Sequence, residues 1–203
     1  TEAIIYETSV RDFTMKPNIG VSHPGKFKGF VEENETTKSL NTGFSYLKTL
    51  GITHVQLMPV LDFGSVDEYN QRLFYNWGYD PLQYMTLEGS YASNSFDPMS
   101  RINDFCELVD KLHENGMRIV LDVVFNHVFD LPTSSFQKIV PGYYFQMNEL
   151  GHYSNGTWCG NDCDSTGFMA RKFIVDACVY LAKTFRIDGF RFDLMGILDV
   201  DTV

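Results

Sequence analysis

The last strand-like stretch of the chain, RIDGFRFD (186–193), carries an arginine and an aspartate two residues apart. Side chains alternate along a strand, so Phe190 and Phe192 face one way while Arg191 and Asp193 face the other. Burying two charges costs several kcal/mol each, to order of magnitude, unless they are paired and hydrogen-bonded. One reading is an Arg–Asp ion pair with no further duty. The other is a carboxylate held ionised, its pKa lowered, by a neighbouring guanidinium. Placed at the C-terminal end of a strand, such a carboxylate is what a nucleophile in glycoside hydrolysis requires.

Two further stretches carry polar groups toward the same chemistry. RIVLDVVFNHV puts Asp122 in mid-strand and Asn126 and His127 at the strand's exit, directly before a long loop. His127 is there a candidate donor to a polar ligand, though strand-end histidines are often structural. Asp122 lies deeper and is expected to orient Arg191 or His127. YNWGYDP (75–81) sets Tyr75, Trp77 and Tyr79 around a glycine, followed by Asp80. Aromatic faces stack on the apolar faces of sugar rings, and they also pack loops; Asp80 could accept hydroxyl hydrogen bonds.

The elements that must position these residues follow from the apolar pattern. AIIYE (3–7), THVQLMP (53–59), RIVLDVVF (118–125) and RIDGFRFD (186–193) read as strands. Helical spacing runs over Thr37 to Leu50 (Leu40, Phe44, Leu47, Leu50), over Ile102 to Glu114 (Phe105, Leu108, Val109, Leu112) and over Phe168 to Phe185 (Phe173, Ala177, Tyr180, Leu181, Thr184). Gly51 and Gly116 stand where left-handed caps would stop the first two helices. Alternation of strand and helix predicts a parallel α/β sheet. Strand-to-helix connections are long and the helix-to-strand ones short, so inserted material gathers at the strands' C-terminal ends, where barrels and open sheets place their sites. Neither GxGxxG nor GxxxxGK[ST] follows any strand, which weighs against nucleotides and toward a barrel. Four strands cannot close an eight-stranded barrel. The expected fold is therefore the N-terminal half of a (β/α)8 TIM barrel over residues 1–203, about four parallel strands and three helices, with a loop excursion or small subdomain at 126–166. The first residues start almost inside a strand, which suggests a piece cut from a longer chain.

The net charge of −10 over 203 residues argues against nucleic acid or an acidic membrane surface as partner. No apolar run approaches a membrane span, and TEAIIYETSVRDF lacks a basic-then-apolar signal pattern. Cys106 and Cys178 fall in apolar helical patterns and read as core. Cys159 and Cys163 form a CxxxC pair with no second pair to complete a zinc site, so zinc and redox roles are disfavoured. Inward carboxylates at several strand ends, or a His-x-His for a metal-using barrel enzyme, are likewise not present.

Taken together, YETSVRDFT, LMPV, YNWGYDP, DVVFNHV and DGFRFDLMG resemble the α-amylase superfamily of glycoside hydrolases. Within it, YNWGYDP, GFRFDLMG and the CGND stretch resemble type I pullulanases, the bacterial debranching enzymes. The resemblance runs over almost the whole chain in the right order. It implies that Asp193 is the nucleophile forming a glycosyl-enzyme, that Arg191 fixes that carboxylate, and that His127 bonds the sugar in subsite −1. It implies that Tyr79 stacks beneath that ring, with Asp80 a further partner there, and it puts Trp77 and Asn126 among the substrate-binding residues. In many relatives an asparagine at position 126 lies near a structural calcium; pullulanases vary, so calcium is left open, and no cofactor is required. The implied substrates are α-glucans with α-1,6 branch points: pullulan, amylopectin or glycogen-derived dextrins. The superfamily's general acid follows its fifth strand and its His-Asp pair the seventh, beyond Val203. The rest of a parent chain is thus an expected partner, and this chain alone is expected not to hydrolyse glucan. An α-1,4-acting amylase or transglycosylase, and a non-catalytic glucan-binding module, are the alternatives. Relatives of this type occur inside bacterial cells and on their surface, which leaves the compartment open. Cys163 after CGND departs from the pattern.

Overall fold

The computed structural model describes residues 2–33 and 42–203. Four strands, β1 (Ile5–Thr8), β2 (His54–Leu57), β3 (Arg118–Val123) and β4 (Gly189–Phe192), form one sheet in the order β1-β2-β3-β4. Every neighbouring pair is parallel. A strand order that follows the chain without reversing is the order of a barrel wall, whereas doubly wound sheets turn back at a switch point. Each strand is shorter than its apolar run. The ladder nevertheless extends past β4, where the Asp193 N–H donates to the Val123 carbonyl at 3.0 Å.

The alternating apolar residues of β2 and β3 explain which face is sealed. Val55, Leu57, Ile119 and Leu121 are fully buried, and α4 (Pro98–Glu114) and α6 (Phe168–Phe185) supply the apolar cover. From α4 come Phe105, Leu108, Val109 and Leu112, the positions expected. This helix starts a turn earlier than the spacing predicts, because Asp97 caps it by accepting from the Met99 N–H at 3.0 Å and Pro98 takes its first position. The buried stripe of α6 is Ala170, Ile174, Ala177, Leu181 and Phe185. Tyr180 and Thr184, expected on that stripe, are exposed, and Phe173 is only partly buried, since each falls one position off the line. Arg186 then closes the helix in the left-handed region, at φ 57°.

The predicted first helix is α3 (Gly43–Leu47), with turns continuing to Leu50. Its Phe44 and Leu47 are buried, whereas Leu50 is exposed beyond the helix end, and Leu40 lies outside the described residues. Gly51 and Gly116 take the positive φ expected of them, 67° and 73°. Short helices that no long apolar period announces occur in the loops: α1 (Val10–Thr14), α2 (Phe27–Phe30) and α5 (Ser135–Ile139). Segment 126–166 contains α5 and two isolated antiparallel bridges, Phe145 with Cys163 and Met147 with Tyr153. Among the described residues no helix is long and apolar enough to cross a membrane.

The loop after β2 is anchored by a cluster of acids around the buried Glu88. Glu88 accepts from the backbone N–H of Ser90 at 2.7 Å and of Phe63 at 3.2 Å. Asp62 and Glu68 lie close by, and Arg101 pairs with Glu68 at 2.9 Å. Burial, helped by the charge of Asp62 and opposed by those hydrogen bonds, pushes Glu88 up to about 7. Burial and the charge of Glu68 push Asp62 up to about 6 against the pull of Arg101. Both carboxyls hold protons more tightly folded than unfolded, so their contribution to stability is full at acid pH and is lost as pH rises through about 6–7. Glu88→Gln should therefore gain melting temperature relative to the natural protein between pH 5 and pH 8, by on the order of 1–3 kcal/mol of relative stability. Parallel melting curves across that range would contradict this.

Candidate active site

Asp122 and Arg191 are register partners on β3 and β4, so the sheet itself sets them side by side on the face opposite the helices. Arg191 Nη1 donates to both Asp122 oxygens, at 3.0 and 3.1 Å, and to Asp193 Oδ1 at 2.7 Å. The Asp122 side chain is fully buried, while that of Arg191 is 42% exposed and that of Asp193 15%. Burial drives the Asp122 carboxyl up, and bonds from Tyr79 and Arg191 offset this in part. Of the two partners named for Asp122, Arg191 is the one it hydrogen-bonds.

Tyr79 reaches the same carboxylate from the β2 loop, its hydroxyl donating to Asp122 Oδ2 at 2.8 Å. Burial and Asp122 hold that phenol far above its ordinary value, so it stays a donor. Delivery of Tyr79 depends on Gly78, at φ 93°, where a Cβ would lie 2.9 Å from Pro59 Cβ and 3.0 Å from Phe63 Cδ1. Asn126 Nδ2 donates to the Asp193 carbonyl at 2.8 Å and to Asp193 Oδ2 at 3.1 Å. Its Oδ1 meets His127 Nδ1 at 2.5 Å. His127 is buried, and its carbonyl accepts from the Tyr84 hydroxyl at 2.6 Å. Burial lowers its pKa despite a bond to the Tyr79 backbone and the charges of Asp193, Asp80 and Asp162, which favours the neutral ring.

Asp193, Arg191, Asp122, Asn126, His127 and Tyr79 thus form one connected network. Asp80 and Trp77 border it. The Asp80 oxygens already accept from Ser65 Oγ at 2.5 Å and from Asn76 Nδ2 at 2.8 and 3.0 Å, so here this carboxyl organises the loop. Burial raises its pKa against those bonds. Trp77 is 59% exposed at the rim of a cleft shared with Tyr75 and Tyr79. Its Nε1–H donates to the Tyr75 hydroxyl at 2.7 Å, which donates in turn to Asp12 Oδ2 at 2.5 Å. The Arg11 guanidinium sits 5.0 Å from the Tyr75 ring centre. Arg11 and Asp12 belong to α1, and no local pattern in the sequence ties them to this cleft, whereas Tyr75 belongs to the aromatic run of YNWGYDP.

The Asn126 amide oxygen faces His127, and the one group of clustered ligand atoms among the described residues is Asp62, Glu68 and Glu88, at another place. The CGND stretch has a plain structural task. Asn161 pairs with the Val128 backbone in both directions, at 2.9 and 2.8 Å, tying the excursion to the rim beside His127. Asp162 accepts from the N–H groups of Gly156 and Thr157 at 2.6 and 2.7 Å. Burial would raise its pKa, but those bonds and Ser154 outweigh burial and hold it low. Cys106, Cys159, Cys163 and Cys178 are all free thiols. Cys163 packs in an apolar cavity with Tyr84, Phe125 and Phe173, and burial lifts its thiol to about 12, which accounts for it as a packing residue.

Residues 36–146 match the family profile described as "Alpha amylase, catalytic domain". The chain is 49% identical to the pullulanase of Bacillus subtilis (strain 168) over 203 residues, all of this chain and 28% of that protein. It is 38% identical to pullulanase A of Streptococcus pneumoniae serotype 2, covering 16% of that protein. The crystal structure of the type I pullulanase from Bacillus subtilis complexed with maltose superposes with a TM-score of 0.96, covering 98% of this chain and 28% of that one. The maltotetraose complex of pullulanase from Anoxybacillus sp. LM18-11, 49% identical, superposes at 0.95 and covers 98% and 29%. The chain therefore spans less than a third of the length of these relatives, and its four-stranded α/β sheet is part of a TIM barrel of this kind.

Proposed function

Because the chain belongs to the alpha-amylase catalytic-domain family, we propose that the whole protein is a retaining glycoside hydrolase that cleaves α-1,6 branch points in α-glucans. The observation that carries the proposal is the Asp193 carboxylate, standing where β4 ends with Arg191 on one oxygen and Asn126 on the other. In this reading an Asp193 oxygen attacks the anomeric carbon, the glycosidic bond breaks with its electron pair going to the leaving oxygen, and a covalent glycosyl-enzyme forms. Arg191 balances the carboxylate, neutral His127 bonds the −1 sugar, and Tyr79 lies beneath its ring with its hydroxyl anchored on Asp122. Trp77 offers an open ring to the neighbouring unit.

Leaving-group protonation needs a second carboxyl about 5–5.5 Å from the nucleophile. Asp122, the acid nearest Asp193 in the network, is spent on Arg191 and Tyr79. The proposal accordingly draws the general acid from elsewhere in the whole protein, and this chain by itself is expected to be inactive. Support for an α-glucan ligand comes from the maltose and maltotetraose in the related structures. Pullulan separates the bond specificities: the full-length enzyme should release maltotriose, whereas panose would overturn the debranching assignment in favour of α-1,4 cleavage.

A further inference from the structure

We infer that Asn126 is a positioning residue for the nucleophile, its side-chain amide fixing the rotation of the Asp193 carboxylate against the His127 ring. The inference rests on the reading of Asp193 as nucleophile and adds a role to Asn126 other than contact with sugar or calcium.

The two Asp193 oxygens have different keepers: Arg191 Nη1 holds Oδ1 at 2.7 Å, and Asn126 Nδ2 holds Oδ2 at 3.1 Å. With a donor on each oxygen the carboxylate plane cannot turn freely, and an attacking lone pair is aimed before substrate arrives. The same Nδ2 grips the Asp193 carbonyl at 2.8 Å. That pins the main chain just before Leu194, a non-glycine residue in the left-handed region at φ 43°. The amide has only one workable orientation. Acceptors of Asp193 surround its nitrogen and His127 Nδ1 faces its oxygen, so a flip would set the carbonyl against a carboxylate. Asn126 is itself fully buried, and its carbonyl accepts from the Cys163 N–H at 2.8 Å. It therefore transmits the geometry of β3 and the excursion to the atom that reacts.

The test compares kcat, KM and the pH profile of the full-length enzyme with those of N126D and N126S on a branched α-glucan, with maltotetraose binding and melting temperature as checks on folding. The titratable groups facing Asp193 are Arg191, Asp122, Tyr79, His127 and Cys159. N126D replaces a donor with a like charge, so kcat should fall about 10²-fold with KM changed less than about threefold. The acid limb of kcat/KM should also move up by about one pH unit, because a second carboxylate disfavours the ionised nucleophile. N126S, short and uncharged, should lose kcat without moving that limb. N126D with kcat near that of the natural enzyme and an unmoved limb overturns the inference. So does a loss carried wholly by KM, which would make Asn126 a sugar ligand, and so does failure of both variants to fold where the natural enzyme is folded. Should the natural enzyme not hydrolyse glucan at all, the underlying reading fails instead, and that outcome is distinct from these.

Discussion

Asp193→Asn in the full-length enzyme is expected to lower kcat on branched α-glucan by on the order of 10⁵-fold while leaving maltotetraose affinity within about threefold. The substitution changes a single atom type, from carboxylate oxygen to amide nitrogen. Backbone pairing through the Asp193 N–H and the Val123 carbonyl is untouched, and so is the Asn126 contact to the Asp193 carbonyl. What disappears is the charged oxygen that bonds to C1 in the retaining mechanism. Binding survives because the groups expected to hold sugar, Tyr79, His127 and Trp77, stand on other elements. Turnover that persists within tenfold would reassign the carbohydrate contact to a non-catalytic module. Equal losses of affinity and turnover would mean that Asp193 only binds.

The second large effect is expected at Arg191. Arg191→Leu removes the charged partner of a carboxylate that is wholly buried, leaving Asp122, among the described residues, with the Tyr79 hydroxyl. Breaking a buried pair from one side costs about 3–5 kcal/mol, and the partial exposure of Arg191 places this case near about 3. Burial already raises the Asp122 carboxyl, and removing the guanidinium raises it further. The variant's deficit should therefore be largest above neutrality and shrink toward pH 5, as Asp122 takes up a proton. Activity should fall by more than about 10²-fold as well, since Oδ1 of Asp193, the proposed nucleophile, loses its guanidinium donor. A deficit independent of pH would argue that the guanidinium acts through packing and not through charge.

How far the sequence could be read differs by kind of residue. Sheet order and the opposition of Asp122 to Arg191 were within reach, because a parallel ladder and a two-residue alternation leave little choice once the strands are recognised. The apolar stripe of α4 was equally legible. On α6 it was not: Tyr180 and Phe173 are apolar enough to satisfy the pattern but sit beside the buried line, and only packing decides between adjacent stripes. Loop chemistry was the least legible. At Asp80 the sequence shows an acceptor but not that Ser65 and Asn76, from elsewhere in the same loop, donate to its oxygens. The Trp77–Tyr75–Asp12 chain joins residues up to 65 positions apart through side-chain geometry that no local period encodes. Asn126 was singled out for its place after a strand, yet its hydrogen bonds depend on which end of an amide faces which neighbour.

The most direct test of the account is covalent trapping. The full-length enzyme would be incubated with an activated fluorinated maltosyl donor that forms a glycosyl-enzyme quickly and hydrolyses it slowly, then digested and mapped by mass spectrometry. The account predicts one added glycosyl unit on the peptide spanning DGFRFDLMG, attached to Asp193 and absent from Asp193→Asn. A sugar attached to any other carboxylate, or release of product by an enzyme that never carries one, would contradict it.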